Sequence, residues 1–453
     1  MAAALGVWMN GVRVGRWIAA RSGGGSSAFQ YDPGWVASGA SRALSLSLPI
    51  TLAGEIRGPQ VDHYFDNLLP DSIDIRQRLG RRFKTNPHSA YDLLTAIGRD
   101  CVGAVQLLPD DQMPERWDRI EAESLSRADV EQHLRSVTSA DPLGGALAED
   151  DFRISIAGAQ EKTALLRMGE NWYRPHGATP TTHILKLPLG LVGNMRADMS
   201  LSVENEWLCA QLLAAFDLPV AQTEMETFGK QKVLSVRRFD RRWQGALGED
   251  GAGFVPPAKA WIARLPQEDF CQALGLPSRL KYQSDGGPGV DDILRVLAQG
   301  VQPVEDRLNF VRAQFAFWLL AATDGHAKNF SVSHRRGGAF SMTPLYDVIS
   351  AWPIIGTGPG QVAYQRARLA MAQRGKSLHY RLGEIQGRHW AALAARASGA
   401  GAADALRTMA EGVDSTLQTV SAGLPATFPA VVWDRVSQGM RRHAAQYLKQ
   451  AGG

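Results

Sequence analysis

Three oxygen-bearing side chains in the C-terminal half of the chain have the types and spacing of a phosphoryl-transfer site. Asn329 follows Asp324 by five positions, and Asp347 follows Asn329 by eighteen. In such a site the first aspartate orients and deprotonates a hydroxyl nucleophile, while the asparagine and the second aspartate hold magnesium against nucleotide phosphates. The spacing therefore predicts phosphoryl transfer from a nucleotide, although an Asp-Gly pair by itself is more often an ordinary turn.

Apolar periodicity predicts the elements that would position these side chains. Apolar residues recur at three- and four-residue steps over residues 308–322, which indicates a buried helix leading into the loop of Asp324. Residues 339–345 have the pattern of a strand that ends just before Asp347. A helix and a strand would then hold both aspartates and Asn329 around one metal–phosphate cluster.

A small-residue loop lies upstream, between short apolar runs at residues 152–156 and 163–168. Its residues are Ala157, Gly158, Ala159, Gln160, Glu161 and Lys162. The order strand, loop, strand lets backbone amides approach phosphate oxygens, because no bulky side chain blocks them. The loop is not a Walker A motif, since the required spacing is absent and a strand follows it. Taken alone, it could also be a plain hairpin turn.

A lysine and a glutamate further along the chain occur in the order of a kinase ion pair. Lys186 ends a strand-like run, and Glu206 lies in the first turns of a helical pattern over residues 202–216. Kinases use such a lysine to neutralise nucleotide phosphates and such a glutamate to fix its position. Both residues could equally be surface charges. A buried strand over residues 233–236 then runs into Arg237, where free backbone groups could pair with an adenine edge.

Several long segments match the pattern of one known family. They are residues 65–72, 97–104, 152–166, 265–272, 281–289, 322–331 and 346–350. In these segments the chain resembles HipA, the serine/threonine-kinase toxin of type II toxin–antitoxin pairs. The resemblance starts at the N-terminus, is dense to about residue 352 and is thinner afterwards.

The resemblance implies a role for each candidate residue. Asp324 would be the catalytic base, and Asn329 and Asp347 would be the magnesium ligands. Lys186 and the loop at residues 157–162 would contact the ATP phosphates. The further nucleotide-binding candidates are Glu206 as the partner of Lys186, Arg237 and Phe239 of the adenine-binding hinge, and His326 and Lys328 of the catalytic loop.

The resemblance also marks Ser155 as the site of an inactivating autophosphorylation. A phosphate group would add about −1.5 to −2 charges beside a loop that must hold a triphosphate. Electrostatic repulsion should therefore expel the loop and disable the pocket. Without the resemblance, Ser155 would be interpreted as an ordinary strand serine.

Three positions depart from kinase patterns. Arg237 stands where the family has a glutamate leading into the hinge. Backbone recognition of adenine would survive this change, but a side-chain contact to the nucleotide would not. Ala322 stands at the histidine of the eukaryotic H-R-D motif, and no glycine follows Asp347. The last two differences are typical of the HipA branch.

The implied fold is α+β and protein-kinase-like, of the HipA type with two lobes. An α/β N-terminal lobe with an added N-terminal subdomain would precede a mostly α-helical C-terminal lobe. The expected domains are residues 1–110 for the subdomain, 111–150 for a connecting helix and linker, 151–245 for the nucleotide-binding lobe and 246–453 for the helical lobe with the catalytic loop.

The implied cofactors are ATP and magnesium, and the implied partner is a helix-turn-helix antitoxin of the HipB type, with operator DNA bound through that complex. The implied substrate is an aminoacyl-tRNA synthetase, with glutamyl-tRNA synthetase as first candidate, whose phosphorylation would arrest translation and promote dormancy. The implied location is the bacterial cytoplasm, and the nucleoid when antitoxin is bound. Two alternatives stay open: a kinase-like enzyme acting on a lipid or small molecule, and a mainly non-catalytic corepressor.

Composition limits the class of protein. Of the 453 residues, 45% are hydrophobic and 21% are charged, as in ordinary soluble globular proteins. Three widely spaced cysteines favour a reducing cytosol over a disulfide framework or a zinc site. A net charge of +4 permits nucleic-acid contact without demonstrating it.

Local patterns add a few further expectations. The chain contains no run of about 18 apolar residues, so no transmembrane helix and no membrane partner are predicted. Asn10-Gly11 predicts a hairpin rather than a signal peptide. Helices are expected near residues 71–83, 90–97 and 429–449, and a flexible loop at residues 284–289.

Overall fold

The computed structural model describes residues 3–20, 26–138, 158, 160–193, 196–245, 256–397 and 400–451. The chain divides into two compact units. The first comprises Met1–Leu187, Glu226–Arg279 and Val332–Phe340, and the second comprises Pro188–Met225, Leu280–Ser331 and Ser341–Gly453. The domain boundaries expected from the sequence remain a prediction.

The first unit begins with an antiparallel sheet and its covering helices. The strands are β1 (Ala4–Met9), β2 (Val12–Ile18), β3 (Ala28–Tyr31), β4 (Glu55–Arg57) and β5 (Gln106–Pro109), in the order β4-β3-β2-β1-β5. The helices are α1 (Pro33–Ala37), α2 (Pro59–Asp66), α3 (Ile73–Phe83) and α4 (Ala90–Ile97). Asn10 and Gly11 join β1 to β2 with positive φ angles of 48° and 78°, so the predicted hairpin is observed.

Aromatic side chains fill the core beneath this sheet. The indole of Trp17 stacks on Phe65 with the ring centroids 4.1 Å apart. The two helices predicted here are observed as α3 and α4. Each is preceded by a serine, Ser72 or Ser89, whose hydroxyl accepts a hydrogen bond from an amide of the first turn.

A second sheet contains the strands predicted for nucleotide binding. The strands are β6 (Ala122–Leu125), β7 (Lys162–Met168), β8 (Asn171–Pro175), β9 (His183–Lys186), β12 (Thr223–Phe228) and β13 (Gln231–Arg237), in the order β12-β13-β9-β7-β8-β6. Helix α5 (Arg127–Thr138) contributes Val130 and Leu134 to an apolar cluster with Leu165 and Leu185 of this sheet. The strand predicted at residues 152–156 lies outside the described residues.

Short strands follow the second sheet. They are β14 (Arg241–Gln244) paired with β15 (Trp261–Arg264), and the sheet β16 (Gln267–Asp269), β17 (Ser331–His334) and β18 (Phe340–Met342). Helix α7 (Phe270–Ala273) follows β16, and Asp269 caps its first turn. The strand predicted over residues 339–345 is shorter than expected and ends at Met342, because Pro344 lacks an amide hydrogen for a further ladder bond.

Helices dominate the second unit. They are α6 (Ser202–Ala215), α8 (Val290–Leu297), α9 (Pro303–Leu319), α10 (Gly387–Ala397), α11 (Ala400–Glu411), α12 (Val413–Ala422) and α13 (Ala430–Ala451). The hairpins β10 (Gly190–Val192) with β11 (Ala197–Met199) and β19 (Arg368–Arg374) with β20 (Leu378–Arg381) accompany them. The predicted final helix is observed as α13. The segment expected to be flexible at residues 284–289 includes part of a 3-10 helix, Gln283–Asp285. Within the described ranges, no helix combines the length and apolar character needed to cross a membrane.

Candidate active site

The C-terminal turn of α9 determines where the loop that carries Asp324 begins. The sequence pattern predicts a helix as far as Ala322, but α9 ends at Leu319 because Ala321 adopts a left-handed φ of 49°. The amide of Ala322 then donates to the carbonyl of Phe317 at 2.7 Å, as in a Schellman turn. Alanine fills the place that glycine usually holds, so nothing in the sequence indicates the earlier end.

The residues after Asp324 pack tightly while its carboxylate stays accessible. A Cβ on Gly325 would lie 2.4 Å from a ring carbon of Phe317, so only glycine fits there. Lys328 and Asn329, in the following 3-10 turn, are 6% and 5% exposed. The side chain of Asp324 is 64% exposed. Within this loop it is therefore the group that can reach an incoming hydroxyl.

The structure brings Asn329 and the backbone of Asp347 together. The side-chain nitrogen of Asn329 donates to the backbone carbonyl of Asp347 at 3.2 Å. Beside it, the Tyr346 hydroxyl donates to the backbone carbonyl of Lys328 at 2.9 Å. Asp347 adopts a left-handed φ of 58°, a conformation rare for residues other than glycine and concentrated at functional sites. Because the Asn329 nitrogen is used as a donor, the carboxamide oxygen is the atom that can serve as a ligand.

The oxygen donors of this segment suit magnesium. No group of three or more His, Cys, Asp or Glu side chains in the part of the chain that the structure describes is arranged to hold a metal ion. Magnesium commonly takes only one or two protein carboxylates and completes its shell with water and substrate phosphates. Asp347 together with Asn329 fits that pattern, and the chemistry of the donor set excludes the thiolate- and imidazole-rich sites that zinc prefers.

A buried asparagine that sequence reasoning missed anchors the segment after Asp347. The side chain of Asn205 on α6 donates to the carbonyl of Ser350 at 2.8 Å and accepts from its amide at 2.9 Å. The Ser350 hydroxyl donates to the carbonyl of Leu320, at the end of α9. These bonds tie the Asp347 segment to the end of the helix that precedes the loop of Asp324. No motif marks the pair, since its members are 145 residues apart.

A tyrosine that the sequence analysis did not single out contacts Asp324 directly. The hydroxyl of Tyr282 donates to Oδ1 of Asp324 at 2.5 Å. His326 is buried, and its Nε2 lies 4.0 Å from Oδ2 of Asp324, which is too long for a hydrogen bond. Tyr282 lies in a segment that carries the family resemblance, but no spacing rule connects it to Asp324.

In the first unit, the small-residue loop is held by residues around α3. Gly158 has a φ of 114°, which side-chain-bearing residues rarely adopt. Its carbonyl accepts the amide of Asp71 at 3.0 Å, and Arg78 on α3 forms a salt bridge with Glu161. The side chain of Gln160 donates to the carbonyl of Leu187 at 2.6 Å, so these contacts together hold the described part of the loop. Ser155, Ala157 and Ala159 lie outside the described residues.

Two lysines stand opposite each other at the end of this loop. Lys162 on β7 and Lys186 on β9 are direct antiparallel partners, so their side chains lie on the same face of the sheet. Lys186 is only 3% exposed. The structure therefore places Lys186, a predicted phosphate contact, directly beside Lys162, the last residue of the small-residue loop.

The predicted hinge is embedded in a cluster of buried charges. Phe239 lies between Arg238 and Asp240, whose side chains are hydrogen-bonded to each other at 2.8 Å. Asp100 accepts hydrogen bonds from Arg238 and from Arg241. The same cluster includes Arg264 on β15.

The charges of this cluster shift the pKa of both acids. Burial alone would raise the pKa of Asp100, but Arg241, Arg238 and Arg264 together hold it well below its usual range. The pKa of Asp240 is lowered in the same way, against the effect of burial. Both acids are therefore ionised at neutral pH.

The remaining candidates are placed in different units. Lys186 and Arg237 lie in the first unit, where Arg237 is the strand partner of His183. Glu206 lies in the second unit, on α6, and is 4% exposed. The ion pair expected between Lys186 and Glu206 therefore remains a prediction.

Family models match most of the chain. A model described as HipA N-terminal domain matches residues 5–108, and one described as HipA-like C-terminal domain matches residues 154–421. The Y4mE protein of Sinorhizobium fredii, named as a candidate kinase, is 32% identical over 352 residues, which cover 76% of this chain and 77% of the relative. The serine/threonine-protein kinase toxin HipA of Shewanella oneidensis is 26% identical over 337 residues, covering 71% and 70%.

A solved structure shows the fold. The chain superposes on HipA from the complex of HipA, HipB and operator DNA of Shewanella oneidensis with a TM-score of 0.77 at 21% identity. The match covers 99% of this chain and 98% of the solved one. The predicted α+β, kinase-like fold of the HipA type is thereby confirmed.

Proposed function

The chain belongs to the HipA family, and on that basis we propose that it is an ATP- and magnesium-dependent serine/threonine-protein kinase acting as the toxin of a toxin–antitoxin pair. The observation that carries the proposal is the hydrogen bond from the Asn329 side chain to the backbone carbonyl of Asp347, beside the loop of Asp324. It brings together the two residues whose side-chain oxygens could hold magnesium, next to an accessible carboxylate, as phosphoryl transfer to a hydroxyl requires.

Each residue has a distinct task in the proposed reaction. Asp324 would accept the proton of the substrate hydroxyl, a contribution of roughly a hundred- to ten-thousand-fold in rate. Asn329 and Asp347 would hold magnesium, which, when bound, neutralises charge on the phosphates. Lys162 and Lys186 would add positive charge along the phosphate chain, so that positioning and electrostatics supply most of the acceleration.

The adenine contact would come from the backbone around Phe239. Arg238 and Asp240 are buried and bonded to each other, so the backbone between them has little freedom. A rigid backbone edge can pair with adenine whatever the side chain at Arg237. His326, Lys328 and Glu206 are proposed as supporting residues of the same nucleotide site.

The proposed acceptor is an aminoacyl-tRNA synthetase, with glutamyl-tRNA synthetase first, and its phosphorylation would arrest translation. The proposed partner is a helix-turn-helix antitoxin, because the solved relative was found with HipB and operator DNA. The corepressor role is favoured by the same relative and is compatible with catalysis. The proposed location is accordingly the cytoplasm, and the nucleoid when the antitoxin is bound.

Autophosphorylation of Ser155 is proposed as a self-limiting step. The contacts of Gly158 and Glu161 hold the described part of the loop, and a phosphate on Ser155, three residues before Gly158 in the sequence, would repel a triphosphate bound by the loop. During incubation with ATP, the wild-type protein should slowly lose kinase activity, while the Ser155→Ala variant should keep it. Equal decay of both proteins would contradict this step.

The direct test of the kinase proposal is incubation with labelled ATP and a panel of aminoacyl-tRNA synthetases. Wild-type protein should label one of them, and Asp324→Asn should reduce labelling about 100- to 10,000-fold with nucleotide affinity preserved. Asp414→Asn is the matched control, because the side chain of Asp414 is 79% exposed and pairs with Arg441 away from the loop. Undiminished labelling by Asp324→Asn would contradict the proposal, and labelling of a lipid extract instead would favour the alternative enzyme.

A further inference from the structure

The hydroxyl of Tyr282 lies 2.5 Å from Oδ1 of Asp324, and nothing in the proposed reaction uses that contact. We infer that Tyr282 is a positioning residue for the catalytic base, which holds one carboxylate oxygen of Asp324 so that the other receives the substrate proton. The inference rests on the proposed function, because it assigns Asp324 the role of base.

Asp324 needs such a partner because its side chain is largely exposed to solvent. The side chain is 64% exposed, and an exposed carboxylate can change its rotamer freely in water. An ionised carboxylate only accepts hydrogen bonds, and its two oxygens can be used separately. Oδ1 accepts from Tyr282, whereas Oδ2 lies 4.0 Å from Nε2 of His326, beyond hydrogen-bonding distance. Oδ2 is therefore the oxygen available to take a proton.

Tyr282 is itself held against the catalytic loop. Its ring lies edge-on to the buried His326, with centroids 4.9 Å apart and an interplanar angle of 83°. The carbonyl of the preceding residue, Lys281, accepts the amide of Ala327 at 3.2 Å. Ring and backbone are thus both attached to the loop that carries Asp324, so the phenol approaches the carboxylate from a supported position.

The turn after Tyr282 adds to that support. The amide of Gly287 donates to the carbonyl of Tyr282 at 3.0 Å. A Cβ on Gly287 would lie 1.9 Å from the carbonyl oxygen of Leu280, so only glycine allows this close return of the chain. The side chain of Gln283 accepts the amide of Ala372 at 2.7 Å. Contacts within residues 281–289, a segment that carries part of the family resemblance, and from this segment to Ala372 therefore support the position of the Tyr282 phenol.

Enzymes commonly hold a catalytic base in position with a hydrogen bond from a neighbouring side chain, because small displacements of a reacting group strongly reduce the rate. Removing the hydroxyl while keeping the ring should leave the loop packed and free only the carboxylate. For Tyr282→Phe we expect kcat to fall about tenfold, with KM for ATP unchanged. In an Asp324→Asn background the same change should have no further effect on the residual rate, because the base is already absent.

The experiment measures transfer from labelled ATP to myelin basic protein, a general serine/threonine acceptor, by the full-length protein. Tyr364→Phe is the matched control, since it removes a phenol that bonds to His443 at 2.8 Å in the same unit. That variant should keep kcat. A fall in kcat confined to Tyr282→Phe, and absent on top of Asp324→Asn, supports the inference. An unchanged kcat overturns it, and so does a raised kcat, because the phenol would then be blocking the base.

A second measurement separates this inference from the proposed function. In protein labelled with carbon-13 at the tyrosine ζ position, the Tyr282 resonance should shift on Asp324→Asn, while the Tyr364 resonance should not. This readout needs no activity. Wild-type protein that transfers phosphate to no acceptor would contradict the proposed function, whereas an unmoved Tyr282 resonance would contradict the contact on which the inference depends.

Discussion

Replacing Asp100 by asparagine should lower the free energy of unfolding by about 3–5 kcal/mol, the range found when one partner of a buried ion pair is removed. Asp100 is 5% exposed and is the shared acceptor of the buried cluster around the hinge. Its carboxylate lies 3.3 Å from Arg238, 2.9 Å from Arg241 and 3.1 Å from Arg264. The side chains of the three arginines are each only 1–2% exposed, so water cannot replace a lost partner.

The size of the effect follows from charge and from hydrogen-bond type. The wild-type cluster sets two carboxylates, Asp100 and Asp240, against three guanidinium groups, and the variant sets one against three. Asparagine also turns one acceptor oxygen into an NH2 donor, which would face guanidinium donors. The amide and hydroxyl of Thr181, bonded to Asp100 at 3.1 and 2.7 Å, would then share the single remaining acceptor oxygen with three arginines.

Chemical denaturation followed by tryptophan fluorescence measures the loss, with Asp414→Asn as control. The control removes a carboxylate 2.7 Å from Arg441 on the surface, and exposed pairs contribute less than about 1 kcal/mol. A loss for Asp100→Asn no larger than for the control would refute the reasoning. Because the arginines hold the pKa of Asp100 below its unfolded value of about 3.9, its stabilisation is present above that pH and is lost as pH falls towards the folded pKa. The difference in the free energy of unfolding between wild type and Asp100→Asn should therefore become smaller below about pH 4.

Three further predictions concern the loop, the metal and pH. Gly158→Ala should weaken ATP binding measured by calorimetry, because φ is 114° at this position and a Cβ would lie 2.5 Å from Nζ of Lys162. The control is Gly54→Ala, at a position with a φ of 66° and no atom within 4 Å of the added Cβ. Asp347→Ala should weaken magnesium-dependent nucleotide binding in the same assay, and undiminished affinity would contradict its role as a ligand. Burial holds the pKa of three histidines at about 3, below the unfolded value of about 6.5. Between these two values each of them takes up a proton on unfolding. The free energy of unfolding should therefore fall by about 1.4 kcal/mol per pH unit for each histidine as pH drops from 6.5 towards 3. These histidines are His133, His183 and His443. Free energies of unfolding, obtained from urea titrations at several pH values, should show this slope. A free energy that does not change with pH would contradict it.

The sequence predicts most elements of the fold because their signals are local. The Asn10-Gly11 turn, the serine caps before α3 and α4, and the periodicity of α6, α9 and α13 each depend on neighbouring residues alone. The errors have local causes as well. Helix α9 stops at Leu319 because Ala321 takes a left-handed conformation for which alanine gives no signal, and β18 stops before Pro344.

In the candidate site, the residue types that the proposed chemistry requires can be predicted from the sequence, whereas the residues that support them through packing cannot. Asp324, Asn329 and Asp347 can be found in the sequence, because phosphoryl transfer demands those oxygen-bearing types in that order. Tyr282 has no such signature, since any hydroxyl donor in the right place could hold a carboxylate, and its place is set by a contact across 42 residues.

The same holds for the buried polar groups that support the site. Asn205 meets Ser350 across 145 residues, and Arg264 meets Asp100 across 164. Asn205 lies on a helix and Arg264 on a strand, at positions whose local sequence pattern gives no sign of these contacts. Burial without a partner would be costly for every one of them, so their burial itself implies a distant partner. Substituting both members of such a pair should therefore perturb stability less than the two single changes combined, whereas changes at Asp324 and Asp347 should reduce activity without that compensation.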